Sequence, residues 1–495
     1  MKKFMSFLIV MVFSAQSLYA YDYKFMKNIK FYGEGQTVGY SMQNGYDLNL
    51  GKLLSGLSNG QIPGILNSNY GGVVSFFTAG LTFDIMEYLS ADLSFSYSNN
   101  WAEGGNKIFS LANNPSYSPL KGNSIQSYLD NIRVQTANVT IKNLLKVEGL
   151  SAKIGRQYYG DEDSSIMYFG VRHYQPLFGL NLPFLGFDNT TSVNAATLYY
   201  EKEKMKANFI YANLGQILGT SLNFDGAILN LLFGGSLPFN EHSINLGKDT
   251  TVIGADVKLL KIADAFNLQA YGYDIESPLV AHYSIAGIKP AVESGGFKAS
   301  VEFALNFAGK SPFGYDSILN TGLFKMKGNS NLFKADLSYE MDQKAAARAS
   351  FAMQGGSEGI EEILNGIPVG TLAVKPFLNF GNYVPGIVFG QQTVTRVLSM
   401  VDFRAINVGA DYFKNDFKFS FDYYNFAARD NGLNYGDEVD LQTKYKYSDG
   451  IDFFLAFGCF ISSNDIDSKI EKLTGEEDFL ADISSSVQLG ASYKF

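Results

Sequence analysis

The chain has one cysteine, Cys459, which excludes an internal disulfide framework. It has three histidines, His173, His242 and His282, too far apart in sequence to suggest a metal site or a triad. HExxH, GxSxG and the Walker loop are all missing, so no catalytic pattern is present. No run reaches about eighteen apolar residues, so no transmembrane helix is expected. Proline is scarce at 12 residues and tryptophan is limited to Trp101. Basic excess is absent too. A net charge of −9 gives no reason to expect nucleic acid or an anionic lipid surface as a partner. No cofactor or metal is expected, and no enzymatic activity.

What is abundant is Tyr and Phe, with 31 and 41 residues, and Gly, with 50. Mean hydropathy is nevertheless close to zero, at −0.03. A helical membrane protein would be far more apolar. A transmembrane barrel averages out, because each strand gives half its residues to lipid and half to water, with aromatic girdles at both interfaces. The first twenty residues read as a secretory signal. Lys2 and Lys3 precede the apolar run Phe4 to Phe13, and Ala15 or Ala20 marks the exit. Residues 21–495 then form the mature domain. The last eleven residues read SSVQLGASYKF. Val487, Leu489, Ala491, Tyr493 and Phe495 share one face, and Ser486, Gln488, Gly490, Ser492 and Lys494 share the other. That period of two makes a strand of about the 9–11 residues that cross a bilayer when tilted. An amphipathic last strand closing on Phe resembles the C-terminal signal of bacterial outer-membrane barrels, which implies the barrel-assembly machinery as a partner.

Seventeen further segments alternate in the same way. They begin at Lys30–Met42, Gly72–Asp84 and Leu89–Asn99 and end at Asp437–Tyr447 and Ile451–Ile461. In Asn131–Asn143 the polar face changes parity between Gln135 and Asn138, the mark of a bulge. Counted back from Phe495, the connections alternate long and short without exception. The expected fold is therefore all-β: a transmembrane antiparallel up-and-down β-barrel of about 18 strands, with 16 as the alternative. Long loops are expected outside and short turns in the periplasm. At about this size a barrel encloses an aqueous channel. Parity puts Cys459 on the lipid face as a small residue.

The opposite parity lists the lumen wall: Lys298, Glu302, Lys334, Asp336, Glu340, Arg348, Asp422, Asp440 and Lys444. Asp84, Asp92, Lys206, Asp256, Lys258, Lys418 and Lys446 join them. Such charges either pair to hold a wet wall in shape or set a field that sorts solutes. Lys298, Lys334 and Arg348, on three consecutive strands, are the expected positive track. Two apolar loop stretches, Pro176–Phe187 and Gly226–Phe239, are expected to narrow the lumen. Asp161, Glu162 and Asp163, and the run Asp465–Glu471, are either solvated loop charges or calcium ligands.

Three stretches resemble the alginate-export type of outer-membrane channel. They are Asn131–Tyr158, with its Gly-Arg-Gln step before GDED; Val252–Tyr273; and Tyr435–Phe460, with YGDEVD and the hairpin after it. The resemblance implies an eighteen-stranded barrel that passes an anionic polysaccharide or other small solutes. It adds Arg156, Glu438 and Asp440 as pore-lining positions. The stretch Gly355–Gly356–Ser357 departs from that family's Ser-Gly-Asp. The expected function is thus an outer-membrane channel of a Gram-negative-type bacterium for diffusion or export of small hydrophilic solutes or saccharides. The alternative is a structural or adhesive surface protein with a loop-plugged lumen.

Overall fold

The structure is a computed structural model. It describes residues 27–48, 65–100, 133–170, 192–213, 223–224, 244–245, 251–262, 265–277, 281–309, 325–326, 329–342, 344–356, 373–374, 386–391, 402–430, 432–466, 468 and 482–495. The signal segment and the stretches Pro176–Phe187 and Gly226–Phe239 lie outside them, as does the acidic run Asp465–Glu471 apart from Asp465, Ile466 and Ser468.

Eighteen strands follow one another in chain order. They are β1 Lys27–Leu48, β2 Ile65–Met86, β3 Leu89–Asn100, β4 Arg133–Ile141, β5 Leu150–Gln157 and β6 Val193–Lys202. Next come β7 Met205–Asn213, β8 Thr251–Leu259, β9 Phe266–Ser277, β10 Ala281–Ser294, β11 Phe297–Gly309 and β12 Ser330–Met341. The last six are β13 Ala345–Gly355, β14 Asp402–Lys414, β15 Phe417–Ala427, β16 Asn434–Ser448, β17 Ile451–Ser462 and β18 Ile483–Lys494. Each pairs antiparallel with its sequence neighbours, and β1 pairs with β18 from Glu34↔Lys494 to Gln43↔Ser485. The ring is closed and leaves no free edge, which is what lipid demands of a strand-built span.

Side-chain alternation sets the two faces. Ile154, Phe303, Val408, Leu441, Leu455 and Leu489 are exposed outward. On the short-turn side, outward aromatics pack into a girdle, with Phe417 stacked on Tyr445 at 4.6 Å and Tyr447 edge-on to Phe453 at 5.9 Å. On the loop side the outer face turns polar. There Asp437 accepts from the Tyr423 hydroxyl at 2.7 Å, and Asp274 accepts from Ser284 at 2.6 Å. An apolar band between an aromatic girdle and a polar rim is the exterior of a membrane-spanning barrel. Cys459 lies on it, in step with Leu455 and Phe457.

The closure is clasped by the last residue. Phe495 exchanges main-chain hydrogen bonds with Gly33 at 2.8 and 2.9 Å. Its ring lies over Gly33, where an added Cβ would sit 2.4 Å from the ring edge, and stacks on Phe77 at 6.2 Å. The bulge expected in β4 is present: Ser94 pairs with Thr136 and Phe95 with Val134, which leaves Gln135 as the extra residue.

Three expectations need correction. The long–short alternation has exceptions, since the loop-side connections at 278–280 and 428–433 are as short as turns. The turn expected at Pro290–Gly296 is only Gly295–Gly296, both at positive φ. β10 runs on through Pro290, and its ladder to β11 skips Lys289 and Pro290 before resuming in the same register, because proline has no N–H to give. β1 and β2 are also longer than expected, at 22 residues each, since Gly- and Asn-rich ends hid their periodicity.

Candidate functional site: a narrowed lumen

Most of the wall charges pair. Lys298 meets Glu293 at 3.0 Å, and Lys334 meets Asp336 at 3.0 Å. Arg348 meets both Asp411 and Asp422 at 3.0 Å, and Lys418 also meets Asp411 at 3.1 Å. The expected positive track is therefore corrected: each of its three cations carries at least one carboxylate. Lys444 pairs with Asp452 at 2.9 Å near the short-turn mouth, and Glu340 lies exposed at the same mouth. Glu302 is buried and accepts from the Tyr271 hydroxyl at 2.8 Å. Strand alternation puts these residues on the lumen face.

Arg156 is the exception. It shares the parity of outward-facing Ile154, and its Nε donates to the Ser192 hydroxyl at 2.8 Å at the loop-side rim. Lys153 and Gln157, of the opposite parity, face inward instead. Gln157 is buried, donating to the Ala195 carbonyl at 2.9 Å.

Among the described residues, two segments from the loop side fold down onto the inner wall. The first, Tyr158–Gly170, follows β5. Tyr159 and Phe169 exchange main-chain hydrogen bonds at 2.7 Å and close a tight loop. Gly160, at φ +87°, lies so close to the Met167 carbonyl that no side chain fits. Ile166, Met167 and Phe169 are buried. The Tyr159 hydroxyl donates to lumen-facing Asp256 at 3.0 Å, and Asn208 donates to the same carboxylate at 3.1 Å. Burial beside Tyr273 and Asp256 pushes the Tyr159 hydroxyl far up, so it stays a donor. Asp161 pairs with Lys258, and Asp163 with Lys289 at 3.4 Å. Burial pushes the Asp163 carboxyl up, but Lys289 and Lys258 outweigh it and hold the group below its ordinary value. Lys258 is next to last in β8, so the segment spans much of the barrel's height. The acidic cluster thus straps a loop to two wall lysines. Among the described residues no group of three or more ligands could hold a metal ion.

The second segment, Gly386–Gln391, belongs to the connection between β13 and β14. Glu438 and Asp440 of β16 hold it by its backbone. The Ile387 N–H donates to Asp440 at 2.9 Å, the Val388 N–H to Glu438 at 2.6 Å and the Phe389 N–H to Glu438 at 2.8 Å. Three successive N–H groups gripping a carboxylate pair satisfy the free donors at the start of the 3-10 turn Phe389–Gln391. Phe389 is wholly buried between Phe426 at 4.0 Å, Phe403 at 5.8 Å and Phe460 at 5.6 Å. Gly458 leaves the room: a Cβ there would meet Asp440, Ile387 and Val388 within 2.9 Å.

The first segment sits on β8–β10 and the second on β14–β17. Their centres, near β9 and β16, are seven strands apart in a ring of eighteen. Material thus enters the lumen from well-separated walls and narrows it between them. The resemblance had singled out Glu438 and Asp440 as pore-lining. The structure gives them a more definite task, as the anchor of an inward loop. The partner segment GIVFG carries no polar side chain and left no signal within a long irregular stretch.

No protein-family model matches the chain, and no curated protein matches it. Solved structures do share the architecture. OccK9 (OpdG) of Pseudomonas aeruginosa superimposes with a TM-score of 0.51 at 11% identity, over 95% of this chain and 99% of that one. OccAB4 of Acinetobacter baumannii gives 0.51 at 9% identity, over 94% and 98%. Pseudomonas aeruginosa OpdK, solved with vanillate, gives 0.51 at 9%, also over 94% and 98%. At such identity the likeness is one of fold: a closed porin-like barrel of 18 strands.

Proposed function

We propose that this chain is an outer-membrane channel through which small hydrophilic solutes diffuse. The observation that carries the reading is a closed barrel with an apolar exterior and a charged, ion-paired inner wall, narrowed by two anchored segments. An ion-paired wall belongs to a water-filled lumen, since isolated charges against a dry core would be costly. The likeness to Occ/Opd channels agrees with this reading. The site is the outer membrane of a Gram-negative-type bacterium. Residues 1–20 direct export, and the last strand is what the barrel-assembly machinery takes hold of. Lumen-facing Lys298, Glu302, Lys334, Asp336, Glu340, Arg348, Asp422 and Lys444 shape the path, and Glu438 and Asp440 set its width.

Alginate export is the narrower reading, resting on the three resembling stretches. The pairing of Lys298, Lys334 and Arg348 speaks against it, because a polyanion track needs cations free of carboxylates. The loop-plugged surface protein is the second reading, favoured by the Phe389 cluster. Purified protein in a planar bilayer tests all three. Steady single-channel conductance with weak ion selectivity supports the diffusion channel. A silent bilayer, for the whole chain and for a variant lacking Gly386–Gln391, favours the plugged barrel. Strong anion preference points to polyanion export.

A further inference from the structure

Between the two inward segments lie two arcs of wall, and the wider runs from β18 through β1 to β7. It carries a cation of a different kind from the rest. Lys153 of β5 faces the lumen, half-buried. Among the described residues it is the mid-wall lysine with no carboxylate within ion-pair distance and no hydrogen-bond partner. Lys206, Lys258, Lys289, Lys298, Lys334, Lys418 and Lys444 each have an acidic partner. Asp92 of β3 stands opposite Asn138 of β4, which stands opposite Gly155, two residues along β5 from Lys153, so the two charges share the lumen face two strands apart without contact. Asp92 is held in place by Tyr32 at 2.7 Å and Thr136 at 2.9 Å, both on Oδ1, which leaves Oδ2 free. Tyr158, at the head of the first inward segment, lies within electrostatic reach of Tyr32, Glu34 and Asp92.

We infer that Lys153 and Asp92 form a subsite for small zwitterions, solutes that carry an amine and a carboxylate a few ångströms apart. The inference rests on the channel reading above. An ammonium and a carboxylate that are neighbours but not in contact leave a gap that such a solute bridges. Its carboxylate accepts from Lys153 and its ammonium donates to Asp92. Both charges then keep charge-assisted hydrogen bonds while the solute sheds water at the narrowing. Tyr32 and Tyr158 add ring faces against which an ammonium is favoured. Neutral sugars find no such match, and solutes of single charge satisfy half of it while facing repulsion from the other half. The contacts are few and wet, so binding stays weak enough for release, as conduction requires.

Osmotic swelling of proteoliposomes loaded with the folded barrel tests the subsite, with glycylglycine, N-acetyl-glycylglycine, glycylglycine amide and arabinose as solutes. Glycylglycine should enter faster than either singly charged derivative and faster than arabinose. Lys153→Gln and Asp92→Asn should each cut the glycylglycine-to-arabinose ratio about two- to fivefold, the range of one wet ion pair. Lys153→Arg should keep the ratio, and arabinose entry should not change. Equal entry of all four solutes into wild-type liposomes overturns the subsite and leaves the channel standing. So does a ratio unmoved by Lys153→Gln. No entry of any solute, arabinose included, overturns the channel reading itself. The derivative series needs no variant, so a substitution that fails to fold leaves the inference decidable.

Discussion

Adjacent residues of one strand face different solvents, and single substitutions expose this. Leu441 sits at the middle of β16, 48% exposed on the outer face, while Gln442 beside it is exposed to the lumen. A Lys or Arg at the bilayer midplane of a barrel costs about 2–4 kcal/mol. Leu441→Arg should therefore lower unfolding free energy in lipid vesicles by about that much, and Gln442→Arg should change it little. Equal damage from both would mean that both faces are buried, as in a soluble sandwich. Gly33 makes the same point at the seam. The Phe495 ring occupies the space where a Gly33 side chain would stand. Gly33→Val should push the ring off Phe77 and lower the heat-modifiable folded fraction. Deleting Phe495 should lower it further, because two main-chain hydrogen bonds go as well. Phe495→Tyr should fold normally.

All eighteen strands were legible in the sequence, because each must alternate to serve lipid and water at once, and alternation is a strong signal. Even the bulge at Gln135 showed as a slip in parity. The inward segments were not legible. Gly386–Gln391 is held by its own N–H groups and one phenyl ring, and neither leaves a periodic trace. The family pattern puts Arg156 on the pore, whereas its parity with Ile154 puts it on the outer face. The anchored elements make their own predictions. Phe389→Ala removes the ring that fills the pocket of Phe403, Phe426 and Phe460. Glu438→Gln sets an amide N–H against a backbone donor. Each should free the second segment and raise single-channel conductance, with folded yield unchanged, since no ladder hydrogen bond is touched. Unchanged conductance would show that this segment does not set the width. The first segment should respond to pH. The Asp163 carboxyl is held below its ordinary value, so the bond to Lys289 is fully present above the ordinary carboxylate range and is lost as pH falls through the depressed one. Hydrogen-exchange protection at Ile166–Phe169, taken relative to the intrinsic rate at each pH, should be high at neutral pH and fall under strong acid. No change across that window would mean the aromatic anchors hold the segment without the strap.

At the scale of the whole molecule, the barrel carries net negative charge yet spends most of its wall cations on carboxylates, so the field along the pore is small. Arg348 is the place to disturb it. Its guanidinium neutralises Asp411 and Asp422 on two different strands, β14 and β15, while Lys418 also serves Asp411. Arg348→Gln leaves Asp422 without a cation and Asp411 with one. Both carboxylates face the lumen, so the vacated wall gains a net negative site beside the path of permeating ions. Screening decides how far that site acts. The Debye length is about 10 Å at 0.1 M salt and about 3 Å at 1 M. A bare carboxylate on the wall therefore biases ions near the pore axis in dilute salt and hardly at all in concentrated salt. Reversal potentials across a KCl gradient should shift toward potassium in Arg348→Gln at low ionic strength and converge with wild type near 1 M. Lys334→Gln should do the same more weakly, since the Asp336 carboxylate it releases is more exposed and better hydrated than Asp422. A shift that persists at high salt would mean that Arg348 holds the width of the pore rather than its charge, and conductance would then change along with selectivity.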